Sequence, residues 1–145
     1  MKILSKILFC CLLPPVICFI LLAFIYHAMY HGSFEITLHE DNVEINGGMP
    51  WYHLYYNSIK SLTLEETTKD NTFIDETEYH NIELGMYHNS KYGYYYSLVY
   101  KKSKISLVIK SSDVDELFVI GYNNKSKTEK LYNDLIEKCN NLETI

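Results

Sequence analysis

The chain contains no arginine: all 13 of its basic residues are lysines. That removes the planar fork that grips phosphates and base edges through paired hydrogen bonds, so nucleic acid is a poor partner on composition alone. Cysteine is nearly absent where it could staple a domain. Cys10, Cys11 and Cys18 fall in the first 18 positions, which leaves Cys139 alone in the rest, so no disulfide can form there. The apolar spacing around Cys139 reads it as a small buried hydrophobe rather than a nucleophile.

Charge is absent from Ile7 to Tyr26, a run of 20 residues. At a helical rise of about 1.5 Å per residue the run reaches about 30 Å, the thickness of a bilayer core. A secretory signal peptide is the rival reading, because Lys2 and Lys6 precede the run. The run exceeds the roughly 7 to 15 residues of a signal core, its far flank has no A-x-A-like pair, and no cysteine follows a small residue as a lipobox requires. The expectation is an uncleaved signal-anchor: a cytoplasmic N-terminus at 1–6, a transmembrane helix over 7–30 kinked at Pro14-Pro15, and a juxtamembrane linker at 31–33. With Lys2 and Lys6 on one side and no further lysine until Lys60, the positive-inside rule predicts a single-pass plasma-membrane protein whose C-terminal domain is extracytoplasmic. Tyr26, His27, Tyr30 and His31 would then stand at the membrane–water boundary.

Also lacking are the motifs of chemistry. No nucleophile elbow, zinc signature or phosphate loop occurs, and the acids between Glu65 and Glu78 lack the alternate-position oxygens and central glycine of a calcium loop. Neither an enzyme nor a bound metal or cofactor is expected. His27 and His31 have ligand spacing but lie at the membrane boundary, and His39, His53, His80 and His88 are scattered.

What is present divides by position: 24 of the 69 apolar residues lie in the first 32 positions and 45 in the remaining 113. That remainder carries 11 lysines and 18 acids, a formal charge of -7. Phe34, Ile36 and Leu38 alternate with Glu35, Thr37 and His39, and Val43 and Ile45 resume the alternation after His39-Glu40-Asp41-Asn42, which predicts a hairpin. Gly47-Gly48-Met49-Pro50 is a second turn. Further strands are expected at Trp51–Tyr56, Ile59–Leu64, Glu83–Tyr87, Tyr94–Tyr100, Ile105–Ile109 and Glu116–Tyr122, with Glu65–Glu78 as a solvated loop and Lys101-Lys102-Ser103-Lys104 as a basic hairpin tip. Ser126-Lys127-Thr128-Glu129 matches a capping box, so a helix is predicted over about 127–140, with Leu131, Leu135, Ile136 and Cys139 on its inner face. Asn124-Lys125-Ser126 also reads as a glycosylation sequon, which the cap makes unnecessary. Short strands without intervening helices argue for an antiparallel sheet folded or closed on itself.

The alternating hairpin, the Tyr55–Leu62 segment, Gly85 and Gly93 around Met86–Tyr92, and Phe118-Val119-Ile120 followed by Lys127–Tyr132 together resemble the bacterial PH-like (pleckstrin homology-like) domain family. The resemblance spans about Phe34 to Cys139. It implies a mainly β fold of about seven strands, a bent antiparallel sheet or barrel over 34–141 closed by the C-terminal helix, with 142–145 as a tail. It also implies an interaction module and carries over no catalytic residues. Phosphoinositide binding by the first hairpin loop, as in eukaryotic PH domains, is not expected here, because that loop is acidic. The net charge of -7 likewise disfavours an anionic headgroup surface.

Tyrosine is the one excess: 12 of 14 lie beyond residue 32, and in the strand expected at Tyr94–Tyr100 alternation puts Tyr94, Tyr96, Leu98 and Tyr100 on one face and Tyr95 and Val99 on the other. The leading expectation is a membrane-tethered scaffold that binds another envelope protein through a sheet edge or a Tyr-rich face made of Trp51, Tyr52, Tyr55, Tyr94, Tyr95 and Tyr96. The alternative is a small-ligand sensor or carrier using the barrel interior. A hydrolase of unfamiliar plan ranks third and needs a histidine and a carboxylate paired in a cleft.

Overall fold

A computed structural model describes residues 14–27, 31–47, 51–75 and 79–142. The chain divides into two compact units, Met1–His31 and Gly32–Ile145. In the first, residues 14–27 form helix α1, all of whose described side chains are exposed, including Phe19, Leu22 and Phe24. Among the described residues no helix is long and apolar enough to cross a membrane. Fourteen helical residues reach only about 21 Å, and positions 7–13 and 28–30 of the expected span lie outside the described residues.

The second unit is mainly β. Strands β1 (Glu35–Leu38), β2 (Asn42–Asn46) and β3 (Trp51–Tyr55) form an antiparallel sheet in that order. The hairpin forms as predicted, with Ile36 opposite Ile45 and Leu38 opposite Val43. Residues 48–50 of the second expected turn lie outside the described residues. A short 3-10 turn, Tyr56–Ser58, leads to β4 (Ile59–Glu66). β4 joins β5 (Thr72–Asp75), β6 (Ile82–Asn89), β7 (Gly93–Tyr100), β8 (Ile105–Ser111) and β9 (Leu117–Gly121) in a six-stranded sheet of order β4-β8-β9-β7-β6-β5. Helix α2 (Lys125–Leu142) follows.

Four expectations are corrected. Neither sheet closes into a barrel, there are nine described strands in two sheets rather than about seven in one, and the larger sheet is mixed rather than antiparallel because β7 and β9 pair in parallel. Glu65–Glu78 is not one solvated loop, because β4 continues to Glu66 and Thr72–Asp75 pairs with β6; Phe73 and Ile74 supplied the strand that the acids around them obscured. Lys101–Lys104 is not a hairpin tip, since β9 lies between β7 and β8, parallel to the first and antiparallel to the second. The four residues arch over the end of β9 at Gly121, where a Cβ would meet the Ser103 and Ser106 side chains at 2.8 and 3.1 Å. Finally, helix α2 is capped by Asn124 and not Ser126: the Asn124 side-chain oxygen accepts the Ser126 amide (3.0 Å), and its carbonyl accepts Lys127 N–H. Thr128, fully buried, accepts the Tyr122 amide at 3.0 Å and fixes the helix start to the end of β9.

The main core lies between the two sheets and α2. Val43, Ile45 and Leu54 from the small sheet meet Leu84, Tyr96, Leu98, Leu107, Ile109, Phe118 and Ile120 from the large one, with Leu131 and Leu135 from the helix. The large sheet's other face buries a second cluster of Tyr87, Tyr95, Val99, Val108 and Val119, with Phe73, Tyr92 and Leu117 partly buried around it. Burial on both faces explains why β7 reads as continuously aromatic instead of alternating with polar residues.

Leu135 is fully buried, so Leu135→Ala is expected to cost about 2–5 kcal/mol in urea unfolding of the full chain. Asn124→Ala should cost about 1 kcal/mol, whereas Ser126→Ala should stay within about 0.5 kcal/mol; equal losses at the two positions would return the cap to Ser126.

Candidate interaction surface

The alternation of β3 decides which aromatic residues face outward. Leu54 is fully buried and Tyr52 turns inward, its ring 5.3 Å from Tyr96 and 4.8 Å from Phe118 in edge-on contacts. Trp51, His53 and Tyr55 therefore point out, and Trp51 and Tyr55 are 57% and 50% exposed. Their neighbours across the ladder are Asn46, Glu44 and Asn42, so the exposed rings are not absorbed by cross-strand aromatic pairs. β3 ends its sheet and pairs only with β2 among the described strands, which leaves a strand edge beside this aromatic row.

The expected tyrosine face is thus divided. Trp51, Tyr55 and Tyr94 are exposed, whereas Tyr95 and Tyr96 are each 1% exposed on opposite faces of the large sheet. Tyr94, two residues before Tyr96 on the same face, stands at the strand's open end with its ring 4.9 Å from His88. Tyr95 goes to the second cluster, where its hydroxyl accepts from Asn89 Nδ2 at 3.4 Å and burial pushes its pKa up. Sequence pattern placed Tyr95 and Tyr96 on opposite faces correctly; which faces are covered depends on segments distant in the chain.

Two further groups went unnoticed in the sequence. Around the second cluster, Asn71 donates to Glu83 (2.6 Å), and Asn89 donates to Asn71 (3.0 Å) and to Thr68 Oγ1 (3.2 Å). Burial is the main cause that raises the Glu83 pKa, with the Asn71 hydrogen bond and Lys101 opposing it. Nearby, Glu65 accepts from Lys91 and from the Tyr92 hydroxyl (2.6 Å); the Lys91 bond, then the Tyr92 bond, hold its carboxyl low, while burial first and Glu65 second push Tyr92 up to about 12. These links pin the segment between β4 and β5 across the second face. Asparagines and an acid on a strand pattern carry no sequence signal for such a contact.

His39 Nε2 and Glu44 Oε2 are 3.1 Å apart, with His39 exposed in the β1–β2 turn and Glu44 on the side of β2 opposite buried Val43 and Ile45. Cys139 packs at the edge of the main core, with its thiol 3.8 Å from the Tyr56 carbonyl. Among the described residues no group of three or more His, Cys, Asp and Glu side chains is placed to hold a metal ion. Two surface depressions, of about 330 Å³ by Phe34, Glu35 and Asn46 and about 260 Å³ between β4 and α2, lie outside the core, whose interior is filled by Tyr56, Tyr96 and Phe118.

Glu83 and Glu65 shift in opposite directions and so act on stability with opposite signs. The raised Glu83 pKa means its contribution is fully present below the unfolded pKa and is lost as pH rises through the folded value. The lowered Glu65 pKa gives a contribution present above the unfolded pKa and lost as pH falls through the folded one. Glu83→Gln keeps an oxygen for Asn71 and removes the buried charge, so melting at pH 7 should move above that of the parent, with the two converging below about pH 4. A variant less stable at pH 7 would show that the carboxylate itself holds the segment.

In comparisons with known proteins, no family model, no curated protein and no solved structure matches this chain.

Proposed function

We propose that the protein is a membrane-tethered interaction module, with a PH-like domain over 34–141 that binds another envelope protein along β3. The observation that carries this reading is the exposed row Trp51, His53 and Tyr55 on a strand whose outer edge ends its sheet. An incoming strand would add main-chain hydrogen bonds at the edge, while the rings supply contact area at low entropic cost. Supporting the tether are the 20 uncharged residues from Ile7 to Tyr26 and the exposure of every described side chain on α1, with Phe19 at 74% and Phe24 at 70%. An exposed apolar helix suits lipid better than water. Supporting a PH-like arrangement are the strand-rich body and the C-terminal helix packed on its core.

A photo-crosslinking residue at position 51 or 55 should capture one protein of defined mass in native membranes. The double change Trp51→Ser, Tyr55→Ser should reduce capture from position 53 by roughly thirtyfold or more, the scale of an aromatic hot spot. Unchanged capture would remove this face from the interaction. A reporter active only outside the cytoplasm, fused after Ile145, should be active; silence would reverse the proposed orientation.

A further inference from the structure

The β3 surface leaves one pair of side chains without a role. His27 and His31 both belong to the Met1–His31 unit, in a stretch from Ile7 to Phe34 that contains no Asp, Glu, Lys or Arg. Helix α1 covers residues 14–27, and the His31 amide donates to the His27 carbonyl at 3.1 Å, the four-residue bond of an α-helix. That spacing puts the two side chains on one face. Their ring centres are 4.3 Å apart with the planes tilted by 47°, and both residues are exposed. Cys18, the nearest described thiol in sequence, is nine residues away from His27, about 14 Å along a helix and too far to share an ion with it.

A place at the membrane–water boundary accounts for an aromatic ring, but tyrosine and tryptophan are the residues that usually fill it, and Tyr26 stands there 62% exposed. It does not account for two imidazoles facing each other one turn apart. Doubly protonated, the rings would repel at this distance, and no acid in the unit offsets that, because Glu35 is the first acid of the chain. A shared cation suits the pair better. An ion bonded to two imidazole nitrogens at about 2.0–2.1 Å holds them about 3 Å apart. The terminal torsion of histidine is broad, so small ring rotations bring one nitrogen of each to that separation from centres 4.3 Å apart. The second nitrogen of each ring stays available for the hydrogen bond that sets its tautomer. Two histidines four apart on a helix are also the two ligands of the zinc-binding H-E-x-x-H motif. Here Ala28, Met29 and Tyr30 lie between them, with no carboxylate to serve as a base, so the pair offers binding without hydrolytic chemistry.

We propose that His27 and His31 together bind a divalent cation of the copper–zinc class on this helix face. Neutral imidazole suits copper, nickel and zinc, whereas magnesium and calcium seek oxygen ligands. Copper(II) stands highest in the order of affinities for such a donor set. Two protein ligands leave the other positions to water or an exchangeable ligand, so binding is reversible, unlike a structural site closed by four side chains. Neither the tether nor the β3 edge is needed for it.

The test adds Cu2+ alone to the full chain in detergent micelles and reads electron paramagnetic resonance, whose echo modulation counts the imidazoles on the ion. Expected are two imidazoles on one tightly held ion in the parent. His27→Gln or His31→Gln should leave one and weaken binding by roughly tenfold to a hundredfold, since even groups outside the first ligand shell are worth that much. Both residues are exposed, so neither change removes a core contact. His39→Gln, His53→Gln, His80→Gln and His88→Gln, made singly, should leave both the two-imidazole signal and the affinity unchanged. Zn2+ in excess should displace the copper, and Mg2+ should not. A parent spectrum with a single imidazole, or an affinity that survives loss of both His27 and His31, would overturn the site.

Discussion

The structure depends on strand β7 being buried on both faces. Tyr95 and Tyr96 are adjacent and equally buried, so one must enter each of two separate cores. A sheet covered on one side would have left one of them in water. The first face is covered by the β1–β3 sheet and α2. The second is covered by the segment from β4 to β5, held by Asn71, Asn89, Thr68 and Glu83 across the cluster around Tyr87 and Tyr95. The polar links are what allow a tyrosine-rich interior: a buried hydroxyl without a partner is costly, and Asn89 supplies one to Tyr95.

Insertion of β9 between β7 and β8 serves the same end. It gives the central strand a parallel neighbour carrying Phe118 to one core and Val119 to the other. It also forces the chain to arch over Gly121, and the arch carries Lys101, Lys102 and Lys104 out to the surface. A topological requirement of the core therefore determines where the basic residues stand.

Much of the strand content was legible because a half-buried strand writes its exposure into alternate residues: Ile36 against Thr37, Val43 against Glu44, Leu54 against His53. The same logic located the face of α2 through Leu131 and Leu135. Order within the sheet was not legible, since Leu117–Gly121 is apolar at every position and specifies no neighbour. β5 was hidden by composition, and the helix cap by a stronger-looking motif two residues away: Ser126 fits a capping box, but the carboxamide of Asn124 reaches the amide first. For the candidate surface, alternation separated Tyr95 from Tyr96 correctly yet could not see that both sides of the sheet were covered. Exposure of Trp51 and Tyr55 follows from β3 being an end strand, a fact about the other eight strands as much as about its own five residues.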